Sequence, residues 1–280
     1  MRIGYLGPEG TFTEQAAQQV EGERVPFATV HDVVEAVDTG AVERGVVPIE
    51  NSLEGAVNAT LDALAVDFPG VTIVGECVLA VHQALIAGSA VELDAITAVA
   101  SHPQGLAQCA RFLREQLPQA RLIAATSTAE AVRSAVASAD AVAAIAPARA
   151  AELHGGLVLR ESIEDEPDNA TRFVVLAPAA ASEAAGDGPF KTSVLFAGAG
   201  DDSPGWLVRC LSEFAFRGVN LTTIESRPRR RQLGHYLFLV DLEGAAHDAP
   251  AAKAIDGLRK HCEEVRVLGT YEAAPDRPLD

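Results

Sequence analysis

At 280 residues, with 48% hydrophobic and 22% charged side chains, the chain can bury two or three compact cores and is neither disordered nor fibrous. No uncharged apolar run of about 18 residues is present and MRIGYLGPEG carries no signal-type apolar region, so neither membrane nor export is expected and the location is read as cytoplasmic. The net charge of −17 is uneven, with 10 Lys/Arg against 26 Asp/Glu in residues 1–190 and 11 against 10 in residues 191–270, and no basic stripe suits nucleic acid.

Residues 1–176 alternate short apolar strands with capped helices. Strands are predicted at 2–6, 45–49, 71–81, 95–100, 121–125, 141–145, 157–159 and 172–176, each apolar enough for a sheet covered on both faces. Thr11-x-x-Glu14, Asn51-x-x-Glu54, Ser101-x-x-Gln104 and Ser127-x-x-Glu130 read as helix caps. Pro147 suits the first turn of another helix, which His154-Gly155-Gly156 would end. The long segment 71–85 reads as a crossover between two lobes, and the acidic loop 161–169 as the return. Lobe one is then about 1–75 plus 168–176, and lobe two about 76–167, with a cleft between them.

Residues 177–190 (APAAASEAAGDGPF) lack periodicity and read as a linker. Strand 191–197, helix 205–217, strands 221–227 and 236–242, helix 250–262 and strand 265–269 follow, in the βαββαβ order of a ferredoxin-like unit. Such a unit exposes one sheet face for pairing. Residues 271–280 form a tail. The four cysteines, Cys77, Cys109, Cys210 and Cys262, make no CxxC pair, so reduced core thiols are expected rather than a zinc site or disulfide framework.

Several predicted strand ends lead into polar turns: Gly7-Pro8-Glu9-Gly10-Thr11, Pro48-Ile49-Glu50-Asn51-Ser52, Ser101-His102-Pro103-Gln104, Thr126-Ser127-Thr128 and Pro147. Helix N-termini there could hold a polycarboxylate without many lysines. Each feature also has an ordinary structural reading. Thr11, Asn51, Ser101 and Ser127 are good caps in any protein, His102 suits a helix start, and Glu50 is either a buried acid or base or a solvated or Arg-paired carboxylate.

Taken together, GPEGTFTEQAA (7–17), VPIENSLEGAV (47–57), SHPQGLAQC (101–109), TSTAEAV (126–132) and NATRFVVL (169–176) resemble, in order and spacing, the motifs of prephenate dehydratases. SPGWLVRCLSEFAFRGVNLTTIESRP (203–228) resembles the regulatory ACT domain those enzymes carry. The resemblance covers nearly the whole chain. It implies an α/β fold, with a two-lobed, periplasmic-binding-protein-like catalytic domain over 1–176 and an ACT domain over 191–270. It further implies conversion of prephenate to phenylpyruvate, with loss of carbon dioxide and water, in phenylalanine biosynthesis. No metal or other cofactor is implied.

Carried onto this sequence, the resemblance makes Thr171 the donor to the departing hydroxyl, Arg172 a carboxylate ligand or an ion-pair partner of Glu50 or another acid, and Phe173 a ring contact, a lobe support or an ordinary core residue. Alternation along a strand puts Thr171 and Phe173 on one face and Arg172 on the other, unless the backbone turns. Thr11, Asn51, Ser52, Thr126, Ser127 and Thr128 are the implied substrate contacts. L-Phenylalanine is the implied effector of a homo-oligomer, held at Gly205, Trp206, Leu207, Val208, Asn220, Leu221, Glu225, Ser226, Arg227 and Pro228. Trp206 replaces a commonly small residue, and either reshapes that pocket or anchors subunits. The basic run Arg227-Pro228-Arg229-Arg230-Arg231 reads as a solvated hairpin tip or as a partner for the acidic region of a neighbouring subunit. Two rival readings are an enzyme preferring arogenate and a non-catalytic amino-acid sensor.

Overall fold

The computed structural model describes residues 1–181, 188–198, 203–229, 234–275 and 278, and its strands form three sheets. The chain opens with β1 (Arg2–Leu6), α1 (Phe12–Ala17), β2 (Glu23–Phe27) and α2 (Val30–Asp38). It continues through β3 (Arg44–Asn51), β4 (Gly55–Ala56), α3 (Asn58–Asp62) and β5 (Val71–Ala80). A second group holds β6 (Ala84–Ala87), β7 (Ala98–Ser101), α4 (Pro103–Gln108), α5 (Ala110–Gln116) and β8 (Arg121–Ala124). That group ends with α6 (Thr128–Ala137), β9 (Val142–Ala146), α7 (Ala148–His154) and β10 (Leu157–Arg160). After β11 (Ala170–Pro178) come β12 (Phe190–Ala197), α8 (Trp206–Ala215), β13 (Leu221–Pro228), β14 (Tyr236–Glu243), α9 (Ala249–Leu258) and β15 (Glu264–Glu272).

The first sheet has the order β2-β1-β3-β11-β5, with β4 paired to β3, and the second has the order β10-β6-β9-β7-β8. Residues 81–83 carry the chain from the first sheet to the second, and 161–169 carry it back into β11. This return inserts β11 between β3 and β5 of the first sheet, antiparallel to both. The third sheet is antiparallel, in the order β13-β14-β12-β15.

Several elements depart from the sequence expectations for local reasons. Strand β2 is missed because Glu23, Arg24 and Pro26 break its apolar pattern, which an edge position tolerates. Strand β6 is only four residues long and was absorbed into the predicted crossover. Strand β5 stays in the first sheet as far as Ala80 because it pairs with β11 from Ala170 to Pro178, so that sheet reaches past residue 75. Strands β11 and β12 run to Pro178 and from Phe190, narrowing the expected linker, and 182–187 lie outside the described residues. Strand β15 likewise extends into the expected tail, to Glu272. Asn51 caps no helix: its Oδ1 accepts from the Leu53 and Glu54 N–H groups in a turn after β3. Ser101 ends β7 and donates to Ile145 O, while His102 is the α4 cap and Pro147 the α7 cap.

One face of the third sheet packs Val194, Phe196, Val240 and Leu242 against α8 and α9. All four cysteines are buried thiols, and Cys210 meets Cys262 at 3.6 Å in this core. The other face is not left open, as a lone ferredoxin-like unit would leave it. Leu195, Leu237, Leu239 and Leu268 pack on Leu64, Val71 and Ile73 of the first group. The Thr72 hydroxyl also donates to Leu268 O at 2.6 Å. The backbones approach so closely here that a Cβ on Gly269 would overlap the Ile73 carbonyl oxygen and lie 2.8 Å from its carbon. Gly269→Ala is therefore expected to destabilise the protein by about 1–3 kcal/mol or more, read by urea unfolding, because two paired backbones rather than a flexible side chain must move. No helix among the described residues is long and apolar enough to cross a membrane.

Candidate functional site

A cleft of about 470 Å³ opens between the first and second sheets. Its first-sheet wall comes from Leu6, Pro48, Asn51, Thr171 and Phe173 and from β4 with its flanking residues Glu54 and Val57, and its second-sheet wall from His102, Gln104, Gly105 and Gln108. The starts of α1, α4 and α6 all reach it, through Thr11–Thr13, His102 and Thr126–Thr128. The first N–H groups of a helix have no intrahelical acceptor, and the helix dipole favours an anion beside them. Among the described lining residues there is no lysine or arginine, and Glu54 stands on the exposed rim. A carboxylate in this cleft would therefore meet hydroxyls, amides and helix termini.

The centre of the cleft is built around Asn51. Its Oδ1 is taken by the Leu53 and Glu54 N–H groups, which orients its Nδ2 as a donor. The two hydrogens of that nitrogen are shared among Thr171 Oγ1 at 3.0 Å, Asn169 Oδ1 at 2.9 Å and Ala170 O at 3.1 Å. Thr171 Oγ1 is thus an acceptor toward Asn51, and among the described residues nothing accepts its own proton. That proton is left to turn into the cleft. Phe173, two residues on and only 2% exposed, forms part of the floor and packs in a core with Tyr5, Val46 and Leu79.

Arg172 is a correction to the expected catalytic group. The strand does not turn, so its side chain leaves the opposite face of β11 and lines no part of the cleft. It is 8% exposed and lies between the first and third sheets. Its Nε donates to Glu76 at 2.6 Å, Nη1 to Asp241 at 2.5 Å and Nη2 to the Tyr271 hydroxyl at 2.9 Å. Glu50 stands 3.6 Å from Nη1 with 39% of its side chain exposed, so it is an Arg-paired, partly solvated carboxylate and not a buried acid or base. Burial opposes the Arg172 charge, but Tyr271, Asp241 and Glu76 outweigh it and hold the guanidinium above its ordinary pKa.

Burial pushes the Glu76 carboxyl up, and Arg172 with the Lys191 hydrogen bond outweighs burial, leaving it below its ordinary 4.5. A depressed carboxylate contributes stability that is complete above 4.5 and is lost as pH falls through its folded-state value. Urea titrations are therefore expected to show a steeper loss of stability below pH 4.5 in the parent than in Glu76→Gln. Parallel curves would contradict this.

The other expected contacts divide. Thr11 lines the cleft but also caps α1, accepting from Glu14 N at 3.3 Å and donating to Pro8 O at 3.0 Å. Ser127 caps α6 through Glu130 N at 3.1 Å, and Thr126 hydrogen-bonds the Glu130 carboxylate, which lowers that carboxyl's pKa. Thr126, Ser127 and Thr128 all line the cleft. Ser52 does not. Its hydroxyl accepts from Ala170 N at 3.0 Å and donates to Asn169 Oδ1 at 3.3 Å, pinning the start of β11. Gln104 is named in the sequence only in a helix-start turn, and Gln83 and Gln108 are given no role there. Gln104 and Gln108 are four residues apart on α4, a readable helical face, whereas Gln83 lies in a connection without periodicity and shows itself only by donating to Gln108 at 3.1 Å.

In the third sheet the expected effector residues are not gathered within one chain. Gly205, at φ +76°, precedes α8, and with Trp206, Leu207 and Val208 it lines a groove of about 260 Å³ completed by Tyr236 and Phe238. Trp206 is 4% exposed, donates from Nε1 to His261 O at 2.7 Å and lies among Phe196 and Phe238, so it anchors its own core. Asn220 and Leu221 sit beyond the far end of α8, where Asn220 donates to Glu243 at 3.0 Å. Glu225 faces the small cavity between the first and third sheets. Ser226 and Pro228 are exposed on β13, and Arg227 is held by Asp62 at 2.8 Å through two nitrogens and by Asn58 at 2.8 Å. Arg229 pairs with Glu263 at 3.2 Å, so these two arginines are not a solvated tip, and Arg230 and Arg231 lie outside the described residues.

The family model described as prephenate dehydratase matches residues 3–181. A prephenate dehydratase of Amycolatopsis methanolica is 39% identical over 276 residues, covering 98% of this chain and 89% of that protein. Among solved structures, a prephenate dehydratase of Arthrobacter aurescens in complex with L-Phe has a TM-score of 0.89 at 39% identity, covering 100% of this chain and 92% of that one. A protein described as a quorum-quenching acylase has a TM-score of 0.84 at 30% identity, covering 98% and 99%.

Proposed function

The chain belongs to the prephenate dehydratase family, and we propose from that premise that it converts prephenate to phenylpyruvate, carbon dioxide and water in phenylalanine biosynthesis. The observation that carries the proposal is the Thr171 hydroxyl, held by Asn51 with its proton free to enter a cleft walled by two sheets. The doubly anionic substrate takes up one proton, which leaves in the water molecule, and its ring becomes aromatic. Thr171 donates to the departing hydroxyl and relays a proton drawn from solvent, because an alcohol is too weak an acid to release one outright. The starts of α1 and α6, with Thr11, Thr126, Ser127 and Thr128, receive the carboxylates, and Phe173 supports the ring. A carboxylate losing its charge as carbon dioxide gains from leaving water for this cleft.

The acylase likeness is weighed against the same hydroxyl. Acyl transfer needs a nucleophile hydrogen-bonded to a base. The side-chain partner of Thr171 is the Asn51 amide, which donates to it and cannot remove its proton. Dehydration is the reading this arrangement favours.

Residues 190–272 serve in this proposal as an ACT-type regulatory domain of a homo-oligomer in the cytoplasm. The effector is L-phenylalanine, the ligand of the Arthrobacter aurescens relative. The groove at Gly205–Val208 takes its carboxylate, and a second copy supplies the groups one chain does not bring there. Phenylalanine is expected to inhibit, and Arg227→Ala to weaken inhibition measured at saturating effector, because the Arg227 fork ties β13 to Asp62 on α3. Equal inhibition in parent and variant would contradict that route.

The deciding experiment incubates purified protein with prephenate and with arogenate at neutral pH and measures phenylpyruvate and phenylalanine. Phenylpyruvate from prephenate is expected. Turnover of arogenate alone, or binding without turnover, would replace the proposal with one of its rivals.

A further inference from the structure

We infer that Arg172 is a positioning residue through which the third sheet sets the orientation of the Thr171 hydroxyl. The inference deepens the proposed function and rests on its reading of Thr171 as the donor. Thr171 and Arg172 are consecutive on β11 and leave opposite faces, one into the cleft and the other into the junction with the third sheet.

Each nitrogen of the guanidinium has a hydrogen-bond partner there. Its Nε meets Glu76 on β5, within its own sheet, while Nη1 and Nη2 meet Asp241 on β14 and Tyr271 on β15. Ser193 on β12 bonds both Asp241, at 2.5 Å, and the Tyr271 hydroxyl, at 2.7 Å. Two strands of the third sheet therefore grip one planar side chain from the first, and a third strand braces both grips through Ser193. A planar fork with a separate partner on each nitrogen has its plane and position fixed, which a single ammonium could not reproduce.

What is fixed at Arg172 is passed to its neighbour. The pairing of β11 with β3 skips Ile49 between Arg172 and Phe173, so the extra residue lies on β3 beside the Thr171–Asn51 pair, while β11 itself runs one-to-one with β5 from Ala170 to Val175 and carries Thr171 and Arg172 on one unbroken backbone. A hydroxyl that must meet a leaving oxygen tolerates little displacement, since a misplacement of about 1 Å can cost about 10²-fold in rate. Strain or slack in the Asp241–Tyr271 clamp moves β11 at residue 172, and the tilt of the Thr171 side chain with it. Glu225 on β13 lines the same small cavity as Arg172 and Asp241, which brings the remaining strand of the third sheet to this junction.

The test compares full-length Asp241→Asn, which takes the charge from one grip on Arg172, and Tyr271→Phe, which removes another grip outright, both keeping side-chain shape, with Leu268→Ala, which loosens the same interface without touching the fork. Steady-state kinetics with prephenate are measured alongside melting temperature. Asp241→Asn and Tyr271→Phe are expected to lower kcat about 10-fold with KM held within about twofold. Leu268→Ala, at an equal or larger loss of melting temperature, is expected to keep kcat within about twofold. Folded Asp241→Asn and Tyr271→Phe proteins with parental kcat would overturn the inference, as would a Leu268→Ala protein as slow as they are. If Thr171→Val keeps its rate, the reading of that hydroxyl fails and the inference with it. If Thr171→Val is inactive while Asp241→Asn is not slowed, the inference alone fails.

Discussion

Thr171→Val is expected to lower kcat for prephenate by about 10²–10⁴-fold, the range spanned by positioned proton donors, with the melting temperature little changed. Valine keeps the branched shape that suits β11, so the variant removes the hydroxyl without opening a gap. The expected loss falls on kcat because the hydroxyl acts on an oxygen that becomes a strong acceptor only as it departs. Substrate carboxylates held at the starts of α1 and α6 would still bind, so KM is expected to change by only about twofold. A large rise in KM with parental kcat would assign Thr171 to binding instead.

The largest expected loss of stability belongs to Arg172→Ala. Removing the guanidinium leaves Glu76, with 1% of its side chain exposed, and Asp241, with 9%, without their main counter-charge between two packed sheets. Breaking a buried pair from one side costs about 3–5 kcal/mol, because the charges left behind are neither paired nor hydrated. Lys191 still reaches Glu76 at 2.7 Å, but among the described residues Asp241 keeps only the Ser193 hydroxyl as a side-chain partner. Urea unfolding of parent and variant at neutral pH reads the difference. A loss under about 1 kcal/mol would mean that water reaches the site and that the contacts matter less than their burial implies.

What could be read from the sequence followed from local rules. Thr11 and Ser127 do cap helices, and the alternation that set Thr171 and Phe173 against Arg172 holds along an unbroken β11. Where the reading failed, two local structures share one chemistry. An asparagine side chain that accepts N–H groups two and three residues ahead serves a helix cap and a turn alike, so Asn51-x-x-Glu54 did not reveal that the chain forms the turn before β4. Other features lie in no local pattern. Arg172 meets Asp241 69 residues away and Tyr271 99 residues away, and only the packing of the third sheet on the first brings them together. Trp206 follows the same logic: an aromatic at a helix start can face a ligand or a core, and here Phe196, Phe238 and the His261 carbonyl turn it inward. The convergence of Thr11 and Thr126–Thr128 on one cleft could be read from the turns after the strands, but the place of Gln83, contributed by a connecting segment, could not.

The most direct test of the central claim is a side-by-side measurement of prephenate turnover by Thr171→Ser and Thr171→Val. Serine keeps the hydroxyl that accepts from Asn51 and donates into the cleft, whereas valine keeps only the shape. The account predicts that the serine protein retains kcat within about tenfold of the parent while the valine protein falls at least about 10²-fold. Two variants that fall alike, or two that both keep the parental rate, would contradict it.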